Sequence, residues 1–392
     1  MPQRDDAVAL DEHDPLAHFR DEFMASSSTA VYADGNSLGP PPRTATACVN
    51  ALVDDWANAL TGGWERWVDF PLEVGDRLGA ACLGAAAGQV AVCDSTSVNL
   101  FKAVNAAIDG TDASRHELVV AIDEFPTDRY MLQSIASQRD LTYVMLDAKG
   151  IVDAVGASTA VVVLSAVNYR SGELLDVGAI TERVNAAGAE VVWDLCHAVG
   201  VMPLELDAWG VRLAVGCTYK YLNAGPGAPA FVYVARADQQ RLRQPLWGWF
   251  GQRDQFAMGL QYEPVPGIRS WLAGTPNIIG TALVDEGVAV IARAGIGAIR
   301  EKSERLVAFA TELARDVLVP RGWTVVTPGD AAGRGGHLAI ARRDADAVCA
   351  ALIARGLVIP DFRAPDVLRL GFSPLVTCYV DVYDAISSVA TL

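Results

Sequence analysis

The chain has 392 residues, enough for two or three domains or for one large domain with a smaller appendage. Its 31 lysines and arginines against 47 aspartates and glutamates give a net charge of −16, which excludes a surface made to neutralise nucleic-acid or anionic-lipid phosphates. Apolar residues reach 51% and charged ones only 20%, so the chain can bury a large core and is not of disordered composition.

In chain order, residues 1–45 read as an arm that ends in the stiff Gly39-Pro40-Pro41-Pro42. Met1 to Phe23 alternates charge with short apolar steps and lacks the hydrophobic stretch of a secretory signal. The uncharged runs Leu78–Cys93 and Ala154–Tyr169 are interrupted by glycines and fall short of the ~20 residues of a spanning helix. Seven scattered cysteines, with no C-x-x-C, are the pattern of reduced thiols in a cytoplasmic protein. None of the five histidines sits beside a second one or beside a cysteine pair, so no metal site is expected.

Three β-branched runs, Glu117–Ile122, Ala160–Ser165 and Glu190–Trp193, are too short for helices and read as buried parallel strands. Helical texture at Asp128–Arg139 and Val177–Ala187 alternates with them, which predicts an α/β, doubly wound core. Ala230–Ala235 reads as a further strand. From about Gly274 the texture changes: Ile278–Val319 predicts one or two long helices with a break at Gly295–Gly297. Strand-like Trp323–Thr327 and His337–Ala341 follow, then a last helix from about Val380, together a smaller C-terminal α+β lobe.

The chemistry concentrates at Asp194 and Lys220. An aspartate ending a buried, uncharged strand is costly unless a cation compensates it. Lys220 lies 26 residues on, before the turn Gly225-Pro226-Gly227, near the end of the next strand segment. Strand ends of this kind form the ligand crevice of open α/β sheets. A pyridinium cofactor satisfies both residues, with the lysine as a Schiff-base former and the aspartate holding the ring nitrogen protonated; a buried ion pair satisfies them equally. Asp94-Ser95-Thr96-Ser97 opens a helical segment (Leu100–Ile108), where hydroxyls serve as an N-cap or, with the backbone N–H groups, as a phosphate site. The glycines of Gly79–Gly88 follow no clear strand and read as close packing, not as a dinucleotide loop.

Eight motifs then occur in order. They are Tyr32-Ala33-Asp34-Gly35-Asn36-Ser37-Leu38-Gly39, Phe125-Pro126-Thr127-Asp128, Val167-Asn168-Tyr169-Arg170-Ser171-Gly172 and Asp194-x-x-His197-Ala198-x-Gly200. Tyr219-Lys220-Tyr221-Leu222-Asn223-Ala224-Gly225-Pro226-Gly227, Gly248-Trp249-Phe250-Gly251, Gly274-Thr275-Pro276 and Leu368-Arg369-x-Gly371-Phe372-x-Pro374-Leu375 complete the set. By these the chain resembles the kynureninases, fold-type-I pyridoxal-phosphate enzymes, over nearly its whole length.

The resemblance implies an N-terminal arm (1–45), a large domain that binds pyridoxal 5'-phosphate (46–275) and a small C-terminal domain (276–392). It implies that Lys220 carries the cofactor and moves the α-proton, that Asp194 pairs with the ring nitrogen, and that His197 lies beside the ring. Phe125 is expected to stack on the ring with Asp128 in the same loop, Thr96 and Ser97 to hold the phosphate, and Tyr219 to donate a proton. Trp249 and Thr275 match positions that kynureninases draw from a partner subunit, implying a homodimer with a shared active site. Arg369 matches the binder of the substrate α-carboxylate, with Asn36 and Ser37 also on the substrate side. The implied reaction is hydrolysis of the Cβ–Cγ bond of L-kynurenine or a ring-substituted kynurenine, giving an anthranilate and L-alanine; the alternative is another fold-type-I activity, an aminotransferase or β-lyase.

Residue by residue, blander roles stay open. Trp249 fits ordinary core, His197 a satisfied core histidine, Arg170 a structural ion pair, and Trp56, Trp64 and Trp67 either a substrate pocket or packing of the arm. Gln252, Asn277, Val376 and Cys378 depart from the family pattern, which favours a modified substrate.

Overall fold

A computed structural model describes residues 2–24 and 28–392. The arm contributes β1 (Val31–Tyr32). Then come β2 (Val90–Val92), β3 (Glu117–Ala121), β4 (Thr142–Leu146), β5 (Thr159–Ser165), β6 (Glu190–Asp194), β7 (Leu213–Gly216) and β8 (Phe231–Val234). These seven form one sheet in the order β2-β8-β7-β6-β5-β3-β4. Only β8 runs against the others, so the sheet is mainly parallel, as expected. All seven residues of β5 and all five of β6 are buried, because helices cover both faces and leave no solvent side for polar alternation.

The second unit is a four-stranded antiparallel sheet of β9 (Thr324–Val325), β10 (His337–Ala341), β12 (Asp361–Arg363) and β13 (Val367–Gly371), in the order β12-β13-β10-β9. The intervening β11 (Val358–Ile359) pairs in parallel with β1, which fastens the arm to this smaller lobe. Helices Ile278–Ala294 and Ile296–Leu313 meet at Gly295, at φ 79°, the break foreseen in the sequence. The expected final helix runs Tyr379–Val389. Among the described residues no helix is long and apolar enough to cross a membrane.

This topology positions the site. β5, β6 and β7 end side by side, so the residues just beyond them share one rim. The arm reaches that rim through Gly39, whose N–H donates to the Tyr219 carbonyl at 2.8 Å. A Cβ on Gly39 would stand 2.2 Å from the Lys220 carbonyl oxygen, so this close approach requires glycine.

Candidate active site

Asp194 is the last residue of β6, and the Cys196 N–H donates to its Oδ1 at 2.6 Å. Three residues on, His197 is buried and its Nε2 lies 2.9 Å from Lys220 Nζ. Lys220 itself is half-buried, in a turn closed by Asn223 at φ 57° and Gly225 at φ 87°. Burial, and then the positive charges of Lys220 and Arg369, push the His197 imidazole well below its ordinary value, so it is neutral beside the lysine. Burial, and then the neighbouring Cys217 and Cys196, push the Tyr219 phenol up, so it stays protonated.

Asp128 enters from the first turn of helix Pro126–Arg139 and is 2% exposed. Burial holds its carboxyl well above the ordinary range, with Asp194 and Glu124 adding to the effect. Phe125, at the head of that helix, meets Tyr169 edge-on with ring centroids 5.3 Å apart. Thr96 and Ser97 begin the helix Thr96–Gly110, whose N-cap is Ser95, accepting from the Val98 N–H at 3.3 Å. The capping hydroxyl is therefore Ser95, while Thr96 Oγ1 lies 3.8 Å from Cys196 Sγ, just beyond β6. Asp94, at φ 51°, is pinned in the turn before them by the fully buried Lys102.

From the small sheet, Arg369 and His337 leave the same face, since Arg369 pairs with Ala339 and His337 lies two residues from it. Arg369 is fully buried, donates to the Tyr169 carbonyl at 2.5 Å and to Ser37 Oγ at 3.1 Å, and is ion-paired with Asp361. Asn36 is also fully buried, yet neither atom of its amide has a hydrogen-bond partner within the chain. The same holds for His197 Nδ1, Asp128 Oδ2, Asn223 Oδ1, Arg369 Nε and both ring nitrogens of His337. Buried polar atoms are rarely left this way; such atoms also occur elsewhere in the chain, but those on His197, Asp128 and Asn223 belong to the surroundings of Lys220, where a polar ligand would complete them.

Trp249 and Thr275 lie elsewhere. Trp249 is 42% exposed while its neighbour Phe250 is buried, so Trp249 is not core. Thr275 is exposed and lines a cavity of about 490 Å³ with Trp56, Trp64 and Trp67. Among the described residues neither makes a hydrogen bond or ring contact with the Lys220 group. Arg170 pairs with Asp366 at 2.5 Å, which favours its structural reading. Two of the departures from the family pattern have local jobs: Asn277 caps helix Ile278–Ala294 and Cys378 caps Tyr379–Val389. Sequence reasoning missed Glu124, Ser165, His337 and Asp361. Glu124 carried a usable signal, being an acid just past a buried strand, the same feature that exposed Asp194.

Residues 80–321 match the aminotransferase class-V family and residues 299–389 the kynureninase C-terminal domain. A kynureninase of Burkholderia pseudomallei (strain 1106a) is 40% identical over 398 residues, covering 99% of this chain and 95% of that protein. One from Pseudomonas fluorescens is 40% identical over 395 residues, covering 98% and 94%. The chain belongs to the kynureninase family.

Among solved structures, a mutant of C-DES with glycine covalently linked to its PLP cofactor superposes with a TM-score of 0.82 at 14% identity, covering 95% of this chain and 98% of that one. The cysteine desulfurase CsdA from Escherichia coli gives 0.79 at 16% identity, covering 95% and 97%. At these identities the likeness establishes the fold, that of fold-type-I enzymes. The cofactor of this kynureninase-type enzyme is pyridoxal 5'-phosphate. The residues fit it: a lysine beside a neutral histidine, a carboxyl group at a strand end, hydroxyls in the first turn of a helix, and buried polar atoms without partners on His197, Asp128 and Asn223.

Proposed function

We propose that this chain hydrolyses the Cβ–Cγ bond of L-kynurenine or a ring-substituted kynurenine at the cleft around Lys220, releasing the matching anthranilate and L-alanine. The observation that carries the assignment of residues is the 2.9 Å contact between Lys220 Nζ and a buried, neutral His197 at the rim that also bears Asp194. Thr96 and Ser97 would hold the phosphate, Asp194 and Asp128 the ring nitrogen side, and Phe125 and His197 the ring faces. When bound, the cofactor supplies an electron sink for the pair released at the substrate α-carbon.

The chain's own groups do the rest. Lys220 removes the α-proton, and its neutral imidazole neighbour withdraws no proton-accepting capacity from it. Arg369, held by Asp361 and Ser37, meets the substrate α-carboxylate with its planar fork, while Asn36 offers its unpartnered amide nearby. Tyr219 returns a proton. Water adds to the γ-carbonyl carbon, the Cβ–Cγ bond breaks, the acyl half leaves as the anthranilate, and the three-carbon half takes up protons to become alanine.

We further propose the division into an arm (1–45), a large domain (46–275) and a small domain (276–392), and a homodimer. Support for the dimer is the apolar surface around Trp249, where Phe256 and Met258 are 76% and 75% exposed and Leu260 is wholly exposed. A second copy covering this face would bring its Trp249 and Thr275 to the neighbouring cleft.

The test is a product assay by mass spectrometry, with PLP, no keto-acid acceptor, and a panel of L-kynurenine and ring-substituted kynurenines. Alanine and the matching anthranilate are expected with the natural protein and absent with Lys220→Ala. Turnover only when a keto acid is added would overturn the proposal in favour of an aminotransferase.

A further inference from the structure

Three buried carboxyl groups crowd the rim: Glu124 just past β3, Asp128 one helical turn later, and Asp194 at the end of β6, at 3%, 2% and 5% exposure. Asp194 and Asp128 face the cleft in the assignment above; Glu124 has no role in it. Both Glu124 oxygens are used within the chain. Oε1 accepts the Phe125 N–H at 2.8 Å and the Ser165 hydroxyl, and Oε2 accepts the Ser165 N–H at 2.7 Å. Ser165 ends β5 and stands directly opposite Asp194 in the β5–β6 ladder. One side chain therefore joins the turn that carries Phe125 and Asp128 to the strand pair that carries Asp194.

A carboxyl in this place is a costly way merely to close a turn. Burying it beside two other acids is unfavourable, and a neutral amide would bridge the same gap without the charge. What the carboxyl alone offers is acceptance on both oxygens, which locks three donors at once and removes the freedom of the turn. An amide presents an N–H₂ group to one of those N–H donors and loses that side.

We propose that Glu124 is a positioning residue for the cofactor ring: it fixes the Phe125–Asp128 turn on the end of β5 and so sets Phe125 and Asp128 against Asp194. The inference rests on the assignment of Asp194, Phe125 and Lys220 given above. The charged groups around Glu124 are Asp194 and Asp128, with Lys220 facing Asp128; burial holds both Glu124 and Asp128 above their ordinary range, and at Glu124 the hydrogen bonds from Ser165 and Phe125 pull the other way.

The experiment compares the full-length natural protein with Glu124→Gln, each titrated with PLP. The readouts are the dissociation constant and the visible circular dichroism per bound cofactor, which reports how rigidly the ring is held. Expected are about tenfold weaker binding and a reduced dichroic band. A dissociation constant within about twofold of the natural protein's, with an unchanged band, would overturn the proposal. A purely structural role would lower the melting temperature of the cofactor-free protein and leave the band per bound cofactor intact, which also overturns it. Should Glu124→Gln fail to fold, Ser165→Ala removes only the hydroxyl donor; a smaller band is expected there, and an unchanged one counts against the proposal. A Lys220→Ala variant whose cofactor absorbance matches that of the natural protein would defeat the underlying assignment instead, so the two failures are distinguishable.

Discussion

The large-sheet rim and the facing edge of the small sheet meet at one cleft, but they prepare it in opposite ways. On the large-sheet side three acids are tied down from within, the Cys196 N–H holding Asp194, the Phe125 and Ser165 N–H groups Glu124, and Lys102 Asp94, while Asp128 Oδ2, His197 Nδ1 and Asn223 Oδ1 stay without partners. On the small-sheet side Arg369 is gripped by Asp361 and Ser37, yet its Nε, the Asn36 amide and both nitrogens of His337 lack partners. Groups completed by the chain suit a resident cofactor. Groups left incomplete gain their partners from the molecule that enters, and a site of unpaired polar atoms rejects a molecule that cannot supply them.

The largest effect that would break this contrast lies on the completed side. Lys102→Met leaves the Asp94 carboxylate without its buried cation, and about 3 kcal/mol of stability should be lost, seen as a lower melting temperature of the cofactor-free protein. A variant as stable as the natural protein would show that internal pairing does not hold this side together. On the incomplete side, Arg369→Lys keeps a charge but loses the planar fork. Its kcat/KM should fall about 100-fold, mainly through KM, with PLP affinity unchanged. Loss of PLP affinity instead would merge the two sides into one.

The smallest effect concerns Asp34, beneath the incomplete side, whose carboxyl burial pushes up to about 6. Its native form favours the proton, so the stability this gives is present below the ordinary carboxyl range and lost as pH rises through about 6. Asp34→Asn cannot ionise and should gain about 1–2 kcal/mol on the natural protein between about pH 4 and pH 7. A difference that stays flat over that window would contradict the assigned environment.

Much of the large-sheet side was legible in the sequence, because a charged residue ending a β-branched run is conspicuous: Asp194 stands out against Glu190–Trp193. Lys220 was legible from its glycine-rich surroundings. Glu124 offered the same signal one residue before Phe125 but lay outside the motif that drew attention there. Strand order was not legible, since β2, with three residues, and β4, with exposed positions, carry weak patterns, and only pairing reveals that β8 runs against the rest. His337 and Asp361 were invisible for another reason. Their roles depend on which face of the small sheet meets the cleft, and that is decided by packing against residues far away in the chain. Trp249 was ambiguous among neighbouring aromatics, and only its exposure beside the buried Phe250 separated it from core.

The central claim is that Lys220 bears the cofactor at the rim defined by Asp194 and His197. Borohydride reduction of the PLP-loaded protein, followed by proteolysis and mass spectrometry, tests it directly. The account predicts a pyridoxyl-phosphate adduct on the peptide containing Lys220, stoichiometric with the chain. An adduct on Lys102, Lys149 or Lys302 instead, or no adduct while the protein still turns over kynurenine, would contradict it.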